Sequence, residues 1–117
     1  MAKYDELPVY KASYDLLLVI FRFTKDFTKE YKYTVGESLK KETLELITFI
    51  YRANSKKDKL ETLQLAREKI EVIRLFVRLM KDLHQISLQK FVQINKQIEN
   101  VSKQLTGWQK SIRELTV

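Results

Sequence analysis

Phe91-Val-Gln-Ile94-Asn-Lys-Gln-Ile98-Glu-Asn-Val101-Ser-Lys-Gln-Leu105-Thr-Gly-Trp108-Gln-Lys-Ser-Ile112-Arg-Glu-Leu115 returns to an apolar residue in strictly alternating steps of three and four. That spacing keeps one greasy seam on one side of an α-helix, the pattern of a helix packed lengthwise against others. Ser87 stands where the N-cap of this helix belongs, with Ile86 before it and Phe91 four residues inside, the pair that forms a hydrophobic staple. Three further helices precede it. The first is expected from about Val9 to Phe27, with Pro8 in its first turn and Tyr10, Tyr14, Leu17, Leu18 and Phe21 at helical spacing. The second is expected from about Val35 to Ala53, opened by a Thr34-Val-Gly-Glu37 capping box. The third is opened by Asp58-Lys-Leu-Glu61 and runs to about Leu83.

The whole chain agrees with this pattern. It has 117 residues, only two glycines and one proline, and 44% hydrophobic residues, so it reads as a single domain over residues 1–117 with one packed core. Short links between successive helices favour antiparallel neighbours, and the expected fold is an all-α, up-down-up-down four-helix bundle. Cysteine is absent, which removes disulfides, thiolate metal sites and thiol nucleophiles and fits a reducing cytoplasm. The longest apolar run, Leu16 to Phe21, is too short to span a bilayer, and the acidic start does not look like a signal peptide, so no membrane partner is expected.

The third helix carries more than a bundle needs. Leu63, Ala66, Ile70, Ile73, Val77 and Met80 share one arc at about 100° per residue, while Val72, Leu75, Phe76, Leu79 and Leu83 form another, nearly opposite. An isolated bundle buries one such face. The second is expected to be an oligomer interface, the alternative being an unusually central helix within the monomer. Gly107 sits in an otherwise helix-favouring region and suggests a close helix approach beside Trp108, or a tolerated surface glycine.

With 22 basic and 15 acidic side chains the formal charge is +7, which favours polyanionic partners. Residues 55–117 hold thirteen basic and seven acidic groups, six of the seven net charges. On the third helix, Arg67, Arg74, Arg78 and Lys81 share a narrow stripe between the two apolar arcs. Glu71 falls on the same stripe, so an internal ion-pair ladder competes with an open phosphate-binding edge. On the fourth helix Lys96, Lys103 and Lys110 recur at seven-residue steps with Arg113 nearby, either a second basic ridge or an ordinary solvated face. These eight residues are the candidate nucleic-acid contacts.

The parts of most enzymes are missing, and no cofactor, metal site or catalytic residue is expected. Arg78-x5-His84 resembles the spacing of helical HEPN ribonucleases. Six residues along a helix leave the two side chains about 120° apart, however, and the polar residue that commonly follows that family's arginine is here Leu79. His84 fits better as the end of the third helix.

The stretch Ile73-Arg-Leu-Phe-Val-Arg-Leu79, then Ile86-Ser-Leu, then Gly107-Trp108 resembles the accessory variability determinant proteins of diversity-generating retroelements. These fall within the wider four-helix-bundle group of 23S ribosomal-RNA intervening-sequence proteins. Thr106 stands before Gly107, where that family usually has glycine or serine. The resemblance implies a homopentameric, barrel-like assembly that binds DNA and RNA and associates with a reverse transcriptase during mutagenic copying of a template RNA. By position, Arg74 and Arg78 match the family's paired arginines. The competing expectation is a structural interaction module of the intervening-sequence group without strong nucleic-acid binding.

Overall fold

The computed structural model describes residues 3–55 and 57–115. The chain ends, part of the expected single domain, lie outside the described residues. Four long helices, α1 (Pro8–Thr24), α3 (Val35–Ser55), α4 (Leu60–Asp82) and α5 (Leu88–Leu115), form the bundle, with a single-turn α2 (Lys29–Lys32) between the first two and a 3-10 turn (Tyr4–Glu6) ahead of them. Around the bundle α1 packs on α3, α3 on α4, α4 on α5 and α5 on α1. The helices α1 and α4 therefore occupy diagonal corners. No helix among the described residues is long and apolar enough to cross a membrane.

Helix ends depart from expectation where side chains act differently. α1 stops at Thr24, and α2 occupies the link that followed it. The Thr34 hydroxyl donates back to the Glu30 carbonyl at 2.8 Å and so closes α2 rather than capping α3. Gly36 is buried, and a Cβ there would lie 3.1 Å from the Tyr31 carbonyl oxygen, so glycine lets the α2 turn press on the start of α3. At the next link Asp58 makes no cap; α4 begins at Leu60, flanked by Lys59. The Lys59 ammonium instead donates to the Ala53 and Asn54 carbonyls at 2.7 and 3.2 Å, a cation at the negative end of α3. Ser87 caps α5 as expected, its Oγ accepting from the Lys90 amide at 3.1 Å.

α4 ends in a Schellman turn: the Gln85 amide donates to the Met80 carbonyl at 2.8 Å and the His84 amide to that of Lys81 at 3.0 Å. His84 sits at φ 59°, in the left-handed region that favours glycine. His84→Gly is therefore expected to stabilise the fold by about 1 kcal/mol, raising Tm by roughly 4 °C in a thermal melt. No gain would mean that the imidazole compensates the strain. The neighbouring Gln85 side chain accepts from the Thr28 amide at 2.8 Å and donates to the Leu83 carbonyl at 3.1 Å, tying two links together at this end of the bundle.

The core follows the α4 expectation closely. Leu63, Ala66, Ile70, Ile73, Val77 and Met80 are all buried. α5 contributes Ile94, Ile98, Val101 and Leu105, but the next buried position is Gln109, while Trp108 is half-buried and Leu115 is 83% exposed. A straight helix drifts by about 20° per heptad from a strict seven-residue repeat, so the seam slides off Trp108 after more than two heptads. In α1 the core line is Val9, Ser13, Leu16 and Ile20; Tyr14, Leu18 and Phe21, expected inside, are 46%, 37% and 38% exposed. The Ser13 hydroxyl is hidden by a 2.7 Å bond to the Val9 carbonyl, which makes a polar residue acceptable in that line. Gly107 has nothing within 4 Å of where its Cβ would be, so within the chain it is a surface glycine and not a helix contact.

Candidate nucleic-acid interface

The basic stripe of α4 faces the flank of α5, and most of it is engaged there. Arg67 is half-buried, its Nη1 donating at 2.6 Å to Oε1 of the buried Gln109. The Gln109 amide in turn donates to the Leu60 carbonyl at 3.4 Å and Gln64 Oε1 at 3.3 Å. Arg74 is held by Glu71, Nε to Oε2 at 3.2 Å and Nη2 to Oε1 at 3.4 Å, and its Nη1 also bonds Glu99 of α5. The Lys81 ammonium lies 5.2 Å from the Phe91 ring centroid and 3.7 Å from Asp82. These contacts, 67 to 109, 74 to 99 and 81 to 91, descend in antiparallel register and clasp the two helices along their length.

On this stripe Arg74 takes the ladder alternative, paired with Glu71, whereas Arg67 is held by the neutral Gln109 amide and not by an acid. Arg78 differs. Its side chain is 74% exposed, and its Nε stands 3.9 Å from Asp82, a distance at which an exposed pair contributes little.

Lys96, Lys103, Lys110 and Arg113 are all exposed on α5. Between Leu88 and Leu115 the sequence holds five basic and two acidic residues. An open depression of about 420 Å³ on this face is lined by Lys96 and Lys103 with Phe91, Asn95, Asn100 and Glu99. Glu99 is the one carboxylate in that lining, and Arg74 is bonded to it. The arginine, shared with Glu71, offsets part of a charge that would repel phosphate beside the two lysines. Arg74 contributes to a basic surface from behind it, a role that helical spacing alone does not reveal.

The expected oligomer face is exposed at Leu75 (63%) and Leu79, while Val72, Phe76 and Leu83 are half-buried and the last two rest on the core. Sequence spacing missed a second polar feature beside it. Lys69 of α4 bridges Glu42 and Glu45 of α3 at 2.8 and 2.6 Å. Its bonds to those carboxylates, Glu42's first, hold the ammonium above its ordinary pKa, and the Lys69 bond holds the Glu45 carboxyl below its own. Neither acid lies on the helix that carries the lysine, which is why no i,i+4 spacing announced the bridge.

His84 is exposed just beyond the end of α4, whereas Arg78 lies within it, so the Arg78-x5-His84 spacing straddles the helix terminus. Among the described residues no group of three His, Cys, Asp or Glu side chains is placed to hold a metal ion.

Taken together, the described residues form a small four-helix bundle with an outward cationic ridge and an exposed apolar arc. The family model described as bAvd-like matches residues 9–112, and the chain belongs to this family, that of the accessory variability determinant proteins. No curated protein matches the chain significantly.

Proposed function

We propose that this protein is a non-enzymatic cytoplasmic adaptor that binds RNA or DNA through the α5 ridge and associates with a retroelement reverse transcriptase. In that role it supports mutagenic copying of a template RNA. The carrying observation is the exposed set Lys96, Lys103 and Lys110, with Arg78 and Lys81 at the neighbouring α4 edge and Arg113 beyond, around a depression whose carboxylate is already paired. Arg67 and Arg74 support that ridge through Gln109 and Glu99. The outer arc of Val72, Leu75, Phe76, Leu79 and Leu83 serves assembly, for which family membership favours a pentamer.

Lysines and an arginine without shaped base pockets contact phosphate, so binding tracks charge more than sequence. Fluorescence anisotropy of a labelled RNA titrated with the protein across salt concentrations is expected to give log K falling linearly with log salt. Four to six phosphate contacts correspond to a slope of about −3 to −5. A protein with no measurable affinity near physiological salt would instead be a structural interaction module, the reading that the α4–α5 clasps favour.

A further inference from the structure

A cleft of about 250 Å³ opens between α4 and α5, beside the lysine ridge and separate from the depression on α5. Gln64, Arg67, Glu68 and Glu71 line it from α4 and Ser102 from α5, with the buried Ile70 in its wall. Its volume lies below the roughly 300–1,000 Å³ of pockets that take drug-sized molecules, a size for one planar ring system. The lining has no single sign. Arg67 carries five N–H donors, and Gln109 takes one of them, from Nη1, at 2.6 Å. Glu71 is held from the side: Arg74 bonds its two carboxylate oxygens at 3.2 and 3.4 Å and bonds Glu99 of the neighbouring depression as well. Glu68 is exposed at the rim. One guanidinium against two carboxylates disfavours a phosphate here, while donors and acceptors side by side suit an uncharged ligand that offers both.

We infer that this cleft receives one unpaired guanine base of a strand bound on the α5 ridge. Guanine carries two adjacent donors, N1–H and N2–H, for a carboxylate, and two adjacent acceptors, O6 and N7, for a guanidinium. No other common base carries both pairs. Glu71 accepts from the first pair and Arg67 donates to the second. Adenine and cytosine would instead set a ring-nitrogen acceptor against the carboxylate, and uracil has a single donor. Ser102 immediately precedes Lys103 on α5, about 100° around the helix and 1.5 Å along it. A strand whose phosphate rests on Lys103 therefore has a base within reach of the cleft. The ridge lysines proposed above respond to charge alone, and the guanine assignment, which rests on that reading, adds a preference at one position.

Anisotropy titrations of a labelled oligoadenosine of about twelve nucleotides test this, its central base being adenine, guanine or hypoxanthine, which is guanine without the N2 amino group. The guanine strand is expected to bind the native protein about tenfold more tightly than the all-adenine strand, with hypoxanthine between them. Because the cleft touches no phosphate, that ratio should persist as salt rises, whereas both affinities fall. Glu71→Gln removes the bidentate acceptor, and Ser102→Leu narrows the cleft without changing charge. Each is expected to bring the guanine strand within about twofold of the all-adenine strand without lowering the affinity of the latter. Circular dichroism checks that both variants fold, and the hypoxanthine comparison needs no variant. Equal affinity of the native protein for the guanine and all-adenine strands overturns the assignment and leaves the ridge standing. A guanine preference that both folded variants keep also overturns it. Strands that do not bind at all remove the ridge, and the assignment with it. Free guanosine monophosphate is expected to compete poorly; competition as strong as that of the guanine strand would make the cleft a site for a free nucleotide and overturn the strand assignment.

Discussion

Replacing Arg78, Lys96, Lys103 and Lys110 together by alanine is expected to weaken RNA binding on the order of 10²-fold near physiological salt. The slope of log K against log salt should fall by about 3 to 4. Both effects follow from removing cations that stand in solvent and release counterions when they meet phosphate. Folding stability should barely change: the four side chains are exposed, and the nearest acid to Arg78 is Asp82 at 3.9 Å. Anisotropy titrations at several salt concentrations, paired with a urea melt, separate the two quantities. Affinity within twofold of native, with an unchanged slope, would move the interface away from this ridge altogether.

The second large effect concerns folding. Leu105 is fully buried in the α5 seam, and Leu105→Ala is expected to cost about 3 kcal/mol, the transfer of the lost methyl groups plus the cavity left behind. Against the roughly 5–15 kcal/mol that holds a small domain together, this is a large share. Urea unfolding should show a lower midpoint at constant m-value. Leu75→Ala provides the contrast. Its side chain is 63% exposed in the single chain, so the monomer should lose no more than about 0.5 kcal/mol, while any assembly that uses the α4 arc loosens. A loss below about 1 kcal/mol for Leu105→Ala would show that this end of the bundle collapses around the missing side chain.

Much of the bundle is legible in the sequence because burial and spacing agree. The α4 core arc is found as expected, and Ser87 caps α5. The resemblance rests on Ile73 to Leu79, Ile86-Ser-Leu and Gly107-Trp108, and the bAvd-like family model matches residues 9–112. Spacing alone does not single out the α1 core face, because that helix is apolar on both sides and a serine lies in the core line. Burial of Gln109 in place of Trp108 was hidden by a seven-residue repeat that a straight helix does not keep. Expected caps at Thr34 and Asp58 yielded to an i,i−4 hydroxyl bond and to Lys59, partners that a motif does not specify.

The candidate interface was legible only in part for a related reason. One-dimensional spacing places Arg67, Arg74, Arg78 and Lys81 on one stripe, but which member is left to solvent depends on what α5 presents opposite. Two of them meet Gln109 and Glu99, and nothing within α4 encodes that match. The same holds for Lys69, whose carboxylates come from α3.

The three clasps between α4 and α5 have a mechanical consequence. A slip of one helix past the other by a single turn, about 5.4 Å, would break the guanidinium–amide, guanidinium–carboxylate and ammonium–ring contacts at once, so no partial displacement is cheap. The pair behaves as one stiff plate, with the lysine ridge on one side and the leucine arc on another. A force applied at the first is delivered to the second without a hinge between them, so the distance from the lysine ridge to the leucine arc is fixed by construction.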